Sequence, residues 1–144
     1  MIDVKLNTKK TNIRVLDEND EELGILSFYP SDFELPERVE KGQEQLKEII
    51  MQVKADAQEK SEEEFFRVMH EMNEKAKEIL NYIFNSDVAI IFGNTSMFTP
   101  TSDGTLLIEN IMDGIIPAIV KEIKKNTSKA TENMQKYLKD YQSK

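Results

Sequence analysis

The 144-residue sequence has no cysteine, no tryptophan, a single histidine, five glycines and four prolines. The missing cysteines exclude a disulfide framework, a cysteine-ligated zinc or iron–sulfur site and a thiol nucleophile in this chain, and they fit a reducing compartment. The lone His70 has no Gly-x-Ser-x-Gly elbow to serve and reads as an exposed helical residue beside Met69. His70-Glu71-Met72-Asn73-Glu74 lacks the second histidine of a zincin, and no Glu-x-x-His is present to build a di-iron bundle. The five glycines are not clustered, so neither a phosphate loop nor a dinucleotide fingerprint exists. No run approaches the roughly 18 apolar residues of a membrane span. Met1-Ile2-Asp3-Val4-Lys5 shows no basic stretch leading into an apolar one, so a soluble, unexported chain is expected.

What is present is acid and helix. Nineteen basic residues face 27 acidic ones, a net charge of −8, and the imbalance lies in residues 1–120, because residues 121–144 are lysine-rich. An acidic body repels phosphate, so no nucleic-acid partner is expected. At this length one core buries roughly two-thirds of the unfolded surface, so residues 1–144 are taken as one domain.

Ile13-Arg14-Val15-Leu16 and Leu23-Gly24-Ile25-Leu26-Ser27-Phe28 flank an acidic stretch in which Asn19-Asp20 can turn. This predicts a β-hairpin region over residues 1–29, with Ile13 and Val15 on the face of Leu26 and Gly24, and with Ile2, Val4 and Leu6 as candidates for a third strand. The acidic run Asp17–Glu22 lacks the glycine and the terminal Glu spacing of a calcium loop. A helical body is predicted over residues 31–125. Ser31-x-x-Glu34 reads as a capping box opening a helix from about Glu37 to Lys60, with the stripe Val39, Leu46, Ile50, Val53 and Ala57. A second box, Ser61-x-x-Glu64, opens the stripe Phe65, Met69, Met72, Ala76, Ile79 and Ile83. The two stripes are out of phase across Ser61, which predicts an antiparallel helical hairpin, with one long stuttered helix as the alternative. A loop carrying Met97 and Phe98 leads to a third helix from about Leu106, wide in its apolar face and interrupted by Pro117, where a kink is expected. Residues 126–144, with Ala130, Met134, Tyr137, Leu138 and Tyr141, form an amphipathic tail. The fold class is α+β: an N-terminal hairpin of two or three strands packed on a three- to four-helix body, mostly α.

No catalytic, cofactor-binding or metal-binding residues emerge, and an enzyme is not expected. The carboxylates of the first two helices sit near lysines at ion-pair spacing. The remaining signal is apolar surplus. Ile91, Phe92, Met97 and Phe98, with the Ile111/Ile115 stripe, exceed what a thin helical layer covers, and are candidate partner contacts. The competing reading is that the loop folds back to plug its own core. Self-association is expected. On the contact reading, Phe98→Asp weakens association and leaves the monomer helical.

The order of landmarks Phe28-Tyr29-Pro30-Ser31-Asp32, Ile91-Phe92-Gly93, Phe98 in a Thr/Pro/Ser/Asp/Gly loop, and Ile108-Glu109-Asn110-Ile111-Met112-Asp113-Gly114-Ile115-Ile116-Pro117 resembles the tail assembly chaperone-like proteins of long-tailed phages and prophages of Gram-positive bacteria. The likeness covers about residues 12–125. It implies a non-enzymatic role in the host bacterial cytoplasm: shielding apolar helical segments of the tape measure protein before tail-tube subunits polymerise, with the tail-tube protein as a further partner. The alternatives are a structural virion tail component and a small helical host or prophage regulatory adaptor.

Overall fold

The computed structural model describes residues 1–142, with the side chains of residues 1–128 and 132. Two antiparallel strands come first, β1 (Thr11–Leu16) and β2 (Glu22–Phe28), followed by helices α1 (Leu35–Glu59), α2 (Glu62–Phe84) and α3 (Leu107–Gln142), with one 3-10 turn at Ala89–Phe92 before α3. This is α+β and mostly α.

The hairpin forms as the alternation predicts. Ile13 pairs with Leu26 and Val15 with Gly24, and a bulge follows at Val15/Leu16. The turn needs both devices available to short acidic residues. The Asp17 carboxylate accepts from the N–H of Asn19 at 2.8 Å and of Glu21 at 3.0 Å, while Asp20 takes the left-handed conformation at φ 61°. The inner face of the sheet closes on the 3-10 turn at Gly24, where an added Cβ would lie 2.6 Å from Ile91 Cγ2. Phe28 meets Phe84 at the end of α2 edge to face, ring centroids 6.4 Å apart. The third strand does not form. Among the described residues the sheet has two strands, and Ile2, Val4 and Leu6 are 92%, 77% and 77% exposed.

Helix α1 starts without the capping box expected at Ser31. Its N-cap is Glu34, with no side-chain cap bond, and Pro36 stands in the first turn, where a missing N–H costs nothing. Asp32 takes the role instead. It accepts from the Glu34 N–H at 3.0 Å and from Arg38 at 3.1 Å, and the N–H bond first, then the guanidinium, holds its carboxyl below the usual range. Arg38 also donates to the Ile83 carbonyl at 3.2 Å, so one guanidinium fastens the start of α1 to the last turn of α2. The break at Ser61 is real: its hydroxyl accepts from the Glu64 N–H and α2 begins at Glu62. The pair is antiparallel, since Gly42 lies against Ile79 and Ile83 while Val53 lies near Phe65 and Met69. The inward stripe of α1 departs from expectation at its end. After Val53 it is Asp56 that is buried, and Ala57 is exposed. Asp56 Oδ2 has no hydrogen-bond partner.

Helix α3 packs against α1 with Ile108, Ile111, Ile115, Ile116, Ile119 and Ile123 buried. The helix continues through Pro117 and takes in the segment read from sequence as a separate tail. Pro117 and Asp113 are both exposed, so the Asp113 carbonyl that loses its donor faces solvent, and the isoleucine face keeps the helix in register against a proline cost of about 3 kcal/mol. The side chains of Ala130, Met134, Tyr137, Leu138 and Tyr141 lie outside those described.

Candidate functional site

The six candidate contact residues do gather, but inside. Met97 is 0% and Phe98 2% exposed, and Phe92, Ile111 and Ile115 are also buried; Ile91 is half-buried against Gly24. This corrects the expectation of a free surface: the loop folds back and plugs its own core. Local hydrogen bonding forces it. The side-chain oxygen of Asn73, on α2, accepts from the Met97 N–H at 2.8 Å, and the Met97 carbonyl accepts from the Ile108 N–H at 2.8 Å. The backbone of a buried segment is thus satisfied on both sides, which permits Met97 and Phe98 to contribute about 1.5–3 kcal/mol each by burial. Phe98→Asp therefore strikes the core.

A second knot sets where α3 starts. The Asp103 carboxylate accepts from the hydroxyls of Thr101 and Thr105, both at 2.6 Å, and from the Thr105 N–H at 3.1 Å. Those donors, the Thr101 hydroxyl foremost, hold the Asp103 carboxyl at about 2. The Asn110 amide reaches back to Thr105 Oγ1 at 2.8 Å. Glu109 accepts from the Leu106 N–H at 3.3 Å and pairs with Lys54 of α1, also at 3.3 Å. Upstream, Asn81 Oδ1 accepts from the N–H groups of Val88 and Ala89, both at 2.8 Å, which turns the chain into the 3-10 segment. Neither Asn73 nor Asn81 stands out by motif. Asn73 had one signal, a polar side chain four residues after Met69 and three before Ala76 on an apolar stripe.

With the loop anchored this way, an open apolar trough remains between α1, α2 and the segment before α3. Its lining includes Val53 and Ala57 of α1, Phe65, Phe66 and Met69 of α2, and Pro100 and Leu106 beyond the buried Phe98. Phe66 is 60% exposed, and its ring centroid stands 6.0 Å from that of Phe65. The Lys54–Glu109 pair lies at its edge. An apolar trough edged by an ion pair can take an apolar helix stripe or extended chain. Nothing in it resembles a reactive constellation, and among the described residues no three His, Cys, Asp or Glu side chains are grouped to hold a metal ion. His70 is exposed. No described helix is long and apolar enough to cross a membrane. No family model matches the chain, and neither a curated protein nor a solved structure matches it.

Proposed function

We propose that this protein is a non-enzymatic binding protein of phage tail morphogenesis, which covers apolar helical segments of the tape measure protein before tail-tube subunits polymerise, and that the trough is where those segments sit. The observation that carries this reading is Phe66. A phenyl ring 60% exposed over a trough of Val53, Ala57 and Met69 is surface that the monomer leaves uncovered, and burying the rest of it against a second apolar stripe gains about 1–2 kcal/mol. The family resemblance supplies the identity of the partner. A tape measure is a long helical chain whose bare apolar stripe would aggregate, and helix-in-groove contacts shield such a stripe. The net charge of −8 keeps neighbouring copies apart on a crowded template. The work is done in the host cytoplasm, and the protein leaves as the tube closes.

The test is co-expression with the tape measure protein of the same phage, followed by size exclusion with light scattering. The tape measure is expected in a soluble complex with the wild-type protein. Phe66→Glu is expected to return it to the insoluble fraction while the variant itself stays folded, because the side chain it replaces is exposed. A tape measure that stays insoluble beside the wild-type protein sinks the chaperone reading; a complex indifferent to Phe66→Glu removes the trough from it.

A further inference from the structure

The packing of the α1–α2 hairpin changes character toward its turn. Away from the turn the two helices meet through fully buried apolar side chains, Leu46, Ile49, Ile50 and Val53 on α1 and Met72, Ala76, Leu80 and Ile83 on α2. Among the described residues of the turn end, 54–71, Asp56 alone is fully buried; Phe65, Val68 and Met69 are half-buried, and Ala57 and Phe66 are exposed. Asp56 Oδ2 has no donor. A buried oxygen left without one works against the closed form, because water satisfies it as soon as the helices part. Position adds to this. Asp56 and Glu59 stand at the C-terminal end of α1, the negative end of its dipole, and no basic residue occupies the last turn. Among the described residues the polar tie from this stretch to α3 is the Lys54–Glu109 pair at 3.3 Å, whose lysine is largely exposed, and such a pair holds weakly. Past Met72 the anchoring resumes at once, with Asn73 Oδ1 on the Met97 N–H.

We propose that residues 54–71 are a separate unit of stability, which unwinds and re-forms while the rest of the molecule stays folded, and that an apolar helix in the trough holds it closed. Local opening costs what it uncovers. Here it uncovers three half-buried apolar side chains and releases an orphaned carboxyl oxygen, whereas parting the helices beyond Val53 and Met72 uncovers the core itself. The second half of the proposal rests on the trough reading. Ala57, Phe65, Phe66 and Met69 line the trough and belong to the unit, so unwinding removes its walls, and an occupant binds only the closed form. The occupant in turn supplies the apolar cover that the unit lacks.

Hydrogen exchange read by mass spectrometry on the full chain tests both halves. Helical amides within residues 54–71 are expected to exchange about a hundredfold faster, or more, than those of residues 76–84. Asp56→Leu is expected to slow residues 54–71 about tenfold, and Asp56→Ala, which removes the carboxyl without adding volume, is expected to act in the same direction. Gly42→Ala strikes Ile83, outside the unit, so it is expected to hasten exchange of residues 76–84 and to leave residues 54–71 unmoved. Uniform protection along the hairpin overturns the proposal. So does exchange of residues 54–71 that neither Asp56 variant slows, or that follows Gly42→Ala. A synthetic helical peptide with one leucine stripe, added at about ten times its dissociation constant, is expected to slow residues 54–71 about elevenfold, since ligand that binds only the closed form slows opening by 1 + [L]/Kd. Bound peptide that leaves them as fast as before overturns the second half. A peptide that fails to bind removes the trough reading and the second half with it, while the free protein's exchange still decides the first.

Discussion

Single side chains settle where the polypeptide between α2 and α3 goes, and they are polar ones. Asn73 fixes Met97, Asn81 fixes the 3-10 turn, and Asp103 fixes the start of α3. Asp103 lends itself to a pH experiment, since its carboxyl is held at about 2 by the Thr101 and Thr105 hydroxyls and the Thr105 N–H. A carboxylate lowered in the folded state stabilises fully above its unfolded value, near 4, and the contribution disappears as pH falls through about 2. The wild-type protein is therefore expected to lose melting temperature between pH 4 and pH 2 by more than Asp103→Asn does, the variant having no charge to lose there. Parallel melting curves for the two proteins across that window would show that the knot carries no charge-dependent stability. Residue-scale chemistry was the least legible part of the sequence. An asparagine on an apolar stripe signals a buried partner but does not name it, and an apolar loop with Met97 and Phe98 looks the same whether it covers its own core or a neighbour's.

At the scale of elements, more could be read. The hairpin pairing followed from alternation, because a one-residue slip would expose Ile13, Val15 and Leu26 together. The break at Ser61 followed from two apolar stripes that are out of phase across it, and the alternative of one long stuttered helix falls with the Ser61 cap. What was missed lies at ends and connections, where local signals compete. Ser31 had the spacing of a capping box, but the bonds went to Asp32, which sits closer to the turn and to Arg38. Pro117 lies inside α3, on its exposed face, and the helix runs on to Gln142. Glycine shows the same contest within α1. Replacing Gly42 by alanine gains about 1 kcal/mol of helix propensity, but the added methyl would overlap Cγ1 and Cδ1 of Ile83. Ile83 is 0% exposed and has no free space to turn into. Overpacking of this kind costs about 1–3 kcal/mol, so Gly42→Ala is expected to lower stability by up to about 2 kcal/mol in urea unfolding. A stabilised variant would mean that the α1–α2 contact relaxes more readily than its packing indicates.

Across the whole molecule, the trough and the hairpin sit at opposite ends of α2. The trough engages its first turns at Phe65, Phe66 and Met69, and the sheet is fastened to its last through Phe28 on Phe84. From Phe66 to Phe84 is about 27 Å along a helix rising 1.5 Å per residue, and no residue is shared between the two surfaces, so substitutions in them are expected to act independently on single contacts. Val4→Asp is therefore expected to leave the affinity for a peptide carrying one amphipathic stripe unchanged, whereas Phe66→Glu is expected to abolish it. Fluorescence titration with the peptide reads both. Loss of peptide affinity in Val4→Asp would mean that the ends of α2 are coupled, and that the leading segment acts on the trough within a single chain.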